Sequence, residues 1–189
     1  MSVNEKKRGR PSGKGNQLDQ ALIIEQAKGL MQVEGKIPSI RKLAAALNVD
    51  AMAIYHYFKN KDALLEAITV SLVADIYQPQ PNAQWQVELE RLCHSYLGLL
   101  AQYTGLLETL LSMKSTGPAQ VFTERFNLIV GPLALPESTQ EDALGLLVDY
   151  LHGFAMAMKC SDGALTIDMC QGAVALYCRG ITSERADNI

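Results

Sequence analysis

The chain has 189 residues, 48% hydrophobic and 20% charged, which is enough to bury a core and is ordinary for a folded domain. Its four cysteines form no CxxC pair and no regular framework, so a disulfide scaffold is not expected. The cysteines are instead expected to be reduced thiols in the cytoplasm. No apolar run reaches the about 18 residues of a membrane span. The net charge of -3 is uneven, because residues 1–61 carry +6 and residues 62–189 carry -9. This asymmetry indicates that the N-terminal third meets a polyanion.

The first 16 residues are basic and are interrupted by glycine and proline. They hold five cations, including Arg8 and Arg10, and no apolar residue after Val3. This composition predicts a disordered arm rather than a packed element. No apolar segment follows the basic residues, so the arm is not a secretory signal.

Four helices are predicted between Leu18 and the prolines Pro79 and Pro81. Apolar residues recur at helical spacing from Ile23 onward, and Gly35 supplies a usual helix end. The prolines mark the predicted boundary between a head, residues 17–78, and a helical body, residues 82–180. The four helices are expected over residues 18–34, 39–47, 51–58 and 60–77.

The second and third of these helices have the spacing of a helix-turn-helix. Asn48 stands where the sharp turn needs a left-handed residue, and Asp50 can cap the next helix. The second helix of such a motif lies in the DNA major groove. Tyrosine and lysine side chains bind phosphate oxygens, and arginine can pair with guanine. The residues predicted to face DNA are Ser39, Arg41, Ala51, Met52, Ala53, Tyr55, His56, Tyr57, Lys59 and Lys61.

The run IRKLAAALNVDAMAIYHYFKNKDALLEAI, residues 40–68, resembles the DNA-binding domain of the TetR family of transcriptional repressors. The resemblance is specific over about residues 18–70, and Asn48 departs from the glycine that the family often has. It implies phosphate contacts from Tyr55, Tyr57 and Lys61. It also implies base or groove contacts from Arg41, Ala51, Met52, Ala53 and His56.

The basic arm contains Arg8-Gly9-Arg10-Pro11, which resembles the core of an AT-hook. Arginines of such a segment lie in a narrow A·T minor groove, where negative potential is concentrated. The alternative is a solvated tail that adds only non-specific attraction to DNA.

The body is also predicted to be helical. Its helices are expected over residues 83–103, 106–114 and 118–130, then behind a capping box at Ser138 and Glu141, and finally over residues 167–179. A flexible tail is expected over residues 181–189. No strand-like alternation occurs, so the fold class is all-α. It combines an N-terminal three-helix helix-turn-helix domain with a C-terminal helical domain, about nine helices in total.

The resemblance implies that the body dimerises and senses a ligand. A palindromic operator requires a twofold protein, which makes a homodimer the expected partner on double-stranded DNA. Few charged residues lie on the inward helix faces, so a small effector is expected to be largely apolar. The candidate lining residues, each of which could instead be plain core, are Tyr96, Tyr103, Leu107, Met113, Phe122, Phe126, Tyr150, Phe154 and Met158.

No catalytic or cofactor motif is present, so the chain is not expected to be an enzyme and no cofactor is expected. His94, His152 and Asp149 could approach one another, but they are scattered too widely for a metal motif. Two alternatives to an effector-released repressor remain. One is an architectural protein that binds the minor groove with a broad A·T preference, and the other is a small helical enzyme.

Overall fold

The computed structural model of the chain describes residues 18–80 and 84–186. Within these residues the regular structure consists of nine α-helices and two 3-10 turns, with no strand. The all-α prediction is therefore confirmed. No helix in the described ranges is both long enough and apolar enough to cross a membrane.

The head is built from the first three helices, and the fourth leads from it to the body. Ile23 and Met31 in the first helix, Leu43 in the second and Ile54 in the third are fully buried against one another. The helices are α1 (Gln20–Glu34), α2 (Ile40–Leu47), α3 (Ala51–Tyr55) and α4 (Lys61–Ala74).

Local signals place the end of α1 and the starts of α2 and α4 where the sequence predicts them. Gly35 follows α1 in the left-handed conformation, at φ 67°, which a side chain would strain. Ser39 accepts a hydrogen bond from the backbone N–H of Lys42, and Asn60 accepts one from Ala63. Each of these caps satisfies a backbone donor that the first turn of a helix leaves unpaired.

The body packs its helices around a central one, α5, which contacts α7, α8 and α9. Leu89, Leu92 and Leu97 of this helix are fully buried, as is Phe126 of α7. Helix α4 packs along α7, so the connection from the head forms part of the body's wall. The body helices are α5 (Trp85–Gln102), α6 (Leu106–Ser112), α7 (Gly117–Val130), α8 (Glu137–Cys160) and α9 (Gln171–Ala186).

The capping box predicted at Ser138 is absent. Helix α8 begins at Glu137, with Pro136 as its N-cap and no side-chain cap bond. Proline already has the φ that a helix entry needs, so the helix starts before Ser138 and places that residue inside the first turn. A serine with helical dihedrals there is no longer in the cap position.

Other boundaries also differ from the predictions. Helix α4 ends at Ala74 rather than near residue 77. Helix α3 ends at Tyr55 rather than at residue 58, because the chain turns there and returns Phe58 to the core. Helix α9 continues to Ala186, so residues 181–186 are helical although a tail was predicted from residue 181. Ile181 is buried, and this tertiary contact extends the helix.

All four cysteines are free, and Cys93, Cys170 and Cys178 are buried. Burial raises the pKa of the Cys93 thiol well above its usual range and that of Cys178 to about 11. These thiols therefore stay protonated at neutral pH and are core residues rather than nucleophiles.

Candidate nucleic-acid interface and internal cavity

The turn between α2 and α3 has the geometry that a helix-turn-helix requires. Asn48 adopts the left-handed conformation, with φ 53° and ψ 45°, and its N–H bonds back to Ala45 and Ala44 carbonyls. The carboxylate of Asp50 accepts a 2.7 Å hydrogen bond from the N–H of Met52 and caps α3. Asparagine tolerates the left-handed region better than other residues with side chains, so this turn forms without glycine.

An exposed surface surrounds the start of α2 and the whole of α3. Met52 is 64% exposed and Tyr55 is 40% exposed, and His56 lies beside them. The cations Arg41, Lys59 and Lys61 on this surface have no carboxylate partner within the described residues. Lys42, by contrast, pairs with Glu34. The side chains that are exposed here are Ser39, Arg41, Met52, Tyr55, His56, Lys59 and Lys61.

Three residues predicted to face DNA are instead half-buried. Ala51 packs against the core, and Ala53 is partly covered. The hydroxyl of Tyr57 donates a hydrogen bond to the carbonyl of Leu18, and its own carbonyl accepts one from Gln20. A phosphate oxygen would need the hydroxyl proton of Tyr57, because phosphate only accepts hydrogen bonds. That proton is already donated to the carbonyl of Leu18. Tyr57 therefore bonds the end of the helix-turn-helix to residues 18–20 at the start of the head, whereas the side chain of Tyr55 is exposed.

The predicted arm contacts of Arg8 and Arg10 lie outside the described residues.

A cavity of about 380 Å³, partly open to solvent, lies in the body beside the connecting helix α4. Its wall is mainly apolar, with a few polar groups from Tyr96, His152, Thr123, Ser115 and Glu141. The wall receives residues from α4 through α8. The apolar and small lining residues are Val73, Leu110, Leu111, Met113, Pro118, Ala119, Phe122, Leu144, Gly145 and Val148.

The structure brings together three of the nine residues predicted to line a pocket, namely Tyr96, Met113 and Phe122. Tyr150 lines a different feature, a surface groove between α8 and α9. The rest are not on the cavity wall. Tyr103, Leu107 and Phe126 are buried in the core, and Phe154 and Met158 are half-buried.

The most polar part of the cavity wall is a pair formed by Tyr96 and His152, which sequence reasoning did not assign to a pocket together. The Tyr96 hydroxyl and Nε2 of His152 are 2.8 Å apart. Burial raises the pKa of Tyr96 far above its ordinary value. Burial also lowers the pKa of His152, against the opposing charge of Asp149. Both groups are therefore neutral near pH 7, and the tautomer of the imidazole decides which of them donates the hydrogen bond.

The two body histidines do not meet. His94 lies 3.8 Å from the carboxylate of Asp168, on another side of the body from the pair with Tyr96. In the described part of the chain, no group of three or more His, Cys, Asp or Glu residues is placed to hold a metal ion.

The end of α4 is held by a buried arginine of α7. Arg125 donates to the carbonyls of Ile76 and Ala74, both at 2.7 Å, and to that of Val73 at 3.3 Å. The unpaired carbonyls at a helix C-terminus carry partial negative charge, which this guanidinium offsets. Val73 also lines the cavity. The same segment of α4 therefore contacts both the cavity and the Arg125 side chain of α7.

A second contact joins head and body directly. A Cβ placed on Gly105, in the turn before α6, would lie 2.1 Å from the carbonyl oxygen of Gly35. The two backbones therefore approach at a distance that only glycine permits. Helix α6 continues from this turn to the cavity, where it contributes Leu110 and Leu111.

A groove of about 890 Å³ runs over the surface between α8 and α9. Leu146 and Leu176, on its two walls, are 64% and 63% exposed. Cβ atoms placed on Gly145, Gly153 or Gly172 would meet nothing within 4 Å. These small residues are therefore not required for packing within the chain.

Comparison with known proteins connects this surface to a family. The family model described as "Bacterial regulatory proteins, tetR family" matches residues 23–68, which contain both helices of the helix-turn-helix. The tetracycline repressor protein class G of Vibrio anguillarum is 31% identical over 90 residues. That alignment covers 46% of this chain and 43% of the repressor, less than half of that relative's length.

Solved structures extend the likeness to the whole fold. ActR of Streptomyces coelicolor aligns over 91% of this chain and 98% of its own, with a TM-score of 0.73 and 16% identity. BioQ bound to its natural double-stranded DNA operator aligns over 88% and 99%, with a TM-score of 0.72 and 19% identity. A TetR variant of Acinetobacter baumannii AYE in complex with minocycline is 25% identical over 90% of this chain and 96% of its own, with a TM-score of 0.65. The match to residues 23–68 shows that the helix-turn-helix head is of the tetR family of bacterial regulatory proteins, and the remaining helices follow the architecture of these solved structures.

Proposed function

We propose that the protein is a transcriptional repressor that binds a palindromic operator as a homodimer and is released by a small, largely apolar effector. The observation that carries this proposal is the position of α4. It leaves the DNA-facing head, forms part of the cavity wall at Val73 and is held by Arg125 of the body. A molecule in the cavity therefore contacts the helix that orients the head.

The DNA-binding part of the proposal is supported by the surface around α2 and α3. Tyr55, Lys59 and Lys61 are exposed and suited to phosphate oxygens, and Arg41 is suited to a guanine edge. Met52 can contact a thymine methyl but donates no hydrogen bond. Base discrimination is therefore expected to depend on Arg41 and His56.

Dimerisation is supported by the groove between α8 and α9. Leu146 and Leu176 leave a large apolar area in solvent, which monomeric proteins seldom do. Gly180 lies on the groove wall, and a Cβ there would meet nothing within 4 Å, so a helix of a second copy can approach closely at this point. A twofold dimer would set two recognition helices roughly 34–36 Å apart, one turn of DNA.

Release is proposed to follow from a shift between two arrangements of the heads. An effector can move this equilibrium only by binding one arrangement more tightly than the other. The cavity contacts α4 through Val73 and α6 through Leu110. Helix α6 in turn begins at Gly105, which touches Gly35 of the head. A ligand that fills the cavity would therefore contact two helices, α4 and α6, each of which is joined to the head. Such a regulator would act in the cytoplasm.

The test begins with selection of genomic DNA fragments by the full-length protein, followed by gel-shift titration of the preferred fragment. One palindromic site is the expected result, with binding lost when Tyr55 and Lys61 are both changed to Ala. Lys114→Ala, an exposed cation of the body, is the matched control and should bind normally. Enrichment of A·T-rich DNA without a common palindrome would contradict the proposal and favour the architectural alternative.

A further inference from the structure

The cavity is poor in charge, and the charge that it has is negative. Among its lining residues in the described chain, Glu141 is the single ionised group and no lysine or arginine is present. Ser115 directs its hydroxyl to the carboxylate of Glu66 and so does not offer that proton to the cavity. An anion placed in this cavity would lose its hydration without gaining a cationic partner.

The cavity wall carries a hydrogen-bonded pair, the buried Tyr96 and the half-buried His152. Tyr96 is 5% exposed, and its ring packs 4.9 Å from that of Phe122. When the imidazole of His152 carries its proton on Nδ1, the Tyr96 hydroxyl donates to Nε2, and a lone pair of the phenolic oxygen is left free to accept. A ligand that donates an O–H or N–H at this point satisfies that oxygen. A ligand without a donor leaves it facing an apolar surface.

We infer that His152 carries its proton on Nδ1, that the cavity takes an uncharged, mainly apolar molecule with one hydroxyl or N–H donor directed at the Tyr96 and His152 pair, and that it excludes anions. This inference rests on the proposed function, since it assigns the chemistry of the effector of that same site. The apolar walls supply contact area, and the neutral pair supplies the direction of one hydrogen bond. A site built around a hydrogen bond discriminates strongly against an analogue that lacks the bonding group.

Three probes of the same shape separate the parts of this inference. They are 1-naphthol, which donates, 1-methoxynaphthalene, which does not, and 1-naphthoate, which is an anion. Isothermal titration of the full-length protein at pH 7.5 would measure each affinity. We expect 1-naphthol to bind about 5- to 10-fold more tightly than the methoxy compound, the effect of one hydrogen bond. No binding of 1-naphthoate is expected.

The double variant Tyr96→Phe with His152→Leu removes both polar groups and should bring the naphthol and methoxy affinities together. Tyr103→Phe changes a buried tyrosine away from the cavity wall and should keep the wild-type ratio. If the double variant does not fold, His152→Leu alone carries the test. It frees the Tyr96 proton for the ether oxygen and should also narrow the ratio.

The inference is overturned if 1-naphthoate binds as tightly as 1-naphthol, if the double variant keeps the naphthol preference, or if no probe binds the wild type. Operator affinity is measured in parallel with and without 1-naphthol. Selective naphthol binding that leaves operator affinity unchanged would support the cavity chemistry while contradicting the effector role. The two proposals can therefore fail separately.

Discussion

The guanidinium of Arg125 lies 2.7 Å from the carbonyl oxygen of Ile76, so a side chain of α7 closes the end of the helix that leads from the head. Arg125 is 9% exposed, and three backbone carbonyls of the segment 73–76 accept its hydrogen bonds. On the head side, Lys28 of α1 pairs with Asp75 at 2.8 Å. The end of α4 is thus held by both parts of the protein.

Removal of Arg125 should therefore destabilise the protein and loosen α4. Arg125→Met leaves buried carbonyls without donors, which costs about 1–3 kcal/mol of unfolding free energy. Urea denaturation measures this loss, and Lys114→Met, an exposed cation of the body, is the control that should change little. An unchanged midpoint for Arg125→Met would show that water replaces the guanidinium at no cost.

Gly105→Ala should disturb the seating of the head on the body. The added methyl group would lie 2.1 Å from a backbone oxygen of Gly35, and a backbone atom cannot move aside as a flexible side chain can. We expect a loss of about 1–3 kcal/mol or a shifted head with altered operator affinity. Gly131→Ala is the matched control, because its Cβ would meet nothing within 4 Å. Equal melting temperatures and operator affinities for the two variants would contradict this expectation.

The two neighbouring tyrosines should separate DNA binding from stability. Tyr57→Phe removes the hydrogen bond to Leu18 and should cost about 1 kcal/mol of stability. Tyr55→Phe should leave stability within about 0.5 kcal/mol and weaken operator binding, because its hydroxyl is exposed. Thermal melts and gel shifts on both variants measure the two effects. A loss of operator affinity confined to Tyr57→Phe would reverse the assignment.

Lys61 is expected to contact phosphate rather than a base. Lys61→Ala should weaken binding to specific and non-specific DNA alike and lower the slope of log affinity against log salt by about one. Titrations at several salt concentrations measure that slope, with Lys114→Ala as the control cation. A slope that does not change would place Lys61 outside the interface.

His152 should make stability depend on pH in a defined direction. Burial lowers its folded-state pKa below the ordinary value of 6.5. Between these two values the unfolded chain holds a proton that the folded chain does not, so stability is full above pH 6.5 and falls as the pH decreases through the folded pKa. His152→Gln should flatten this dependence relative to wild type, and His94→Gln is the control. Identical slopes in urea titrations from pH 5 to 8 would contradict the assignment.

The groove between α8 and α9 predicts the oligomeric state. Leu146→Asp places a charge on the exposed apolar wall and should convert dimers to monomers in sedimentation experiments. Leu128→Asp, which changes a leucine of α7 that is 49% exposed, is the control and should remain dimeric. A monomeric wild type would remove the dimer from the proposal.

The helix-turn-helix could be predicted from the sequence because its determinants are local. Asn48 and Asp50 act on backbone groups within a few residues of themselves, and the apolar spacing of each helix defines its buried face. The capping box failed for a local reason too, since Pro136 offers an earlier start to the same helix. This local competition moves the N-cap of α8 by two residues, from Ser138 to Pro136, but does not change the presence of the helix.

Only the tertiary structure decided which inward side chains face open space. Phe122 and Phe126 lie one turn apart on α7 and share a buried face, yet the first lines the cavity and the second is packed in the core. Tyr57 finds its partner 39 residues away, and Tyr96 meets His152 across 56. By itself, the sequence determined the helices, the caps of α2 and α3 and the family of the head, because short-range hydrogen bonds and helical periodicity specify them. The packing of helices against one another decided the rest, because the spacing of residues along one helix does not encode it. This packing forms the cavity, brings Arg125 to the carbonyls at the end of α4 and leaves Tyr55 exposed.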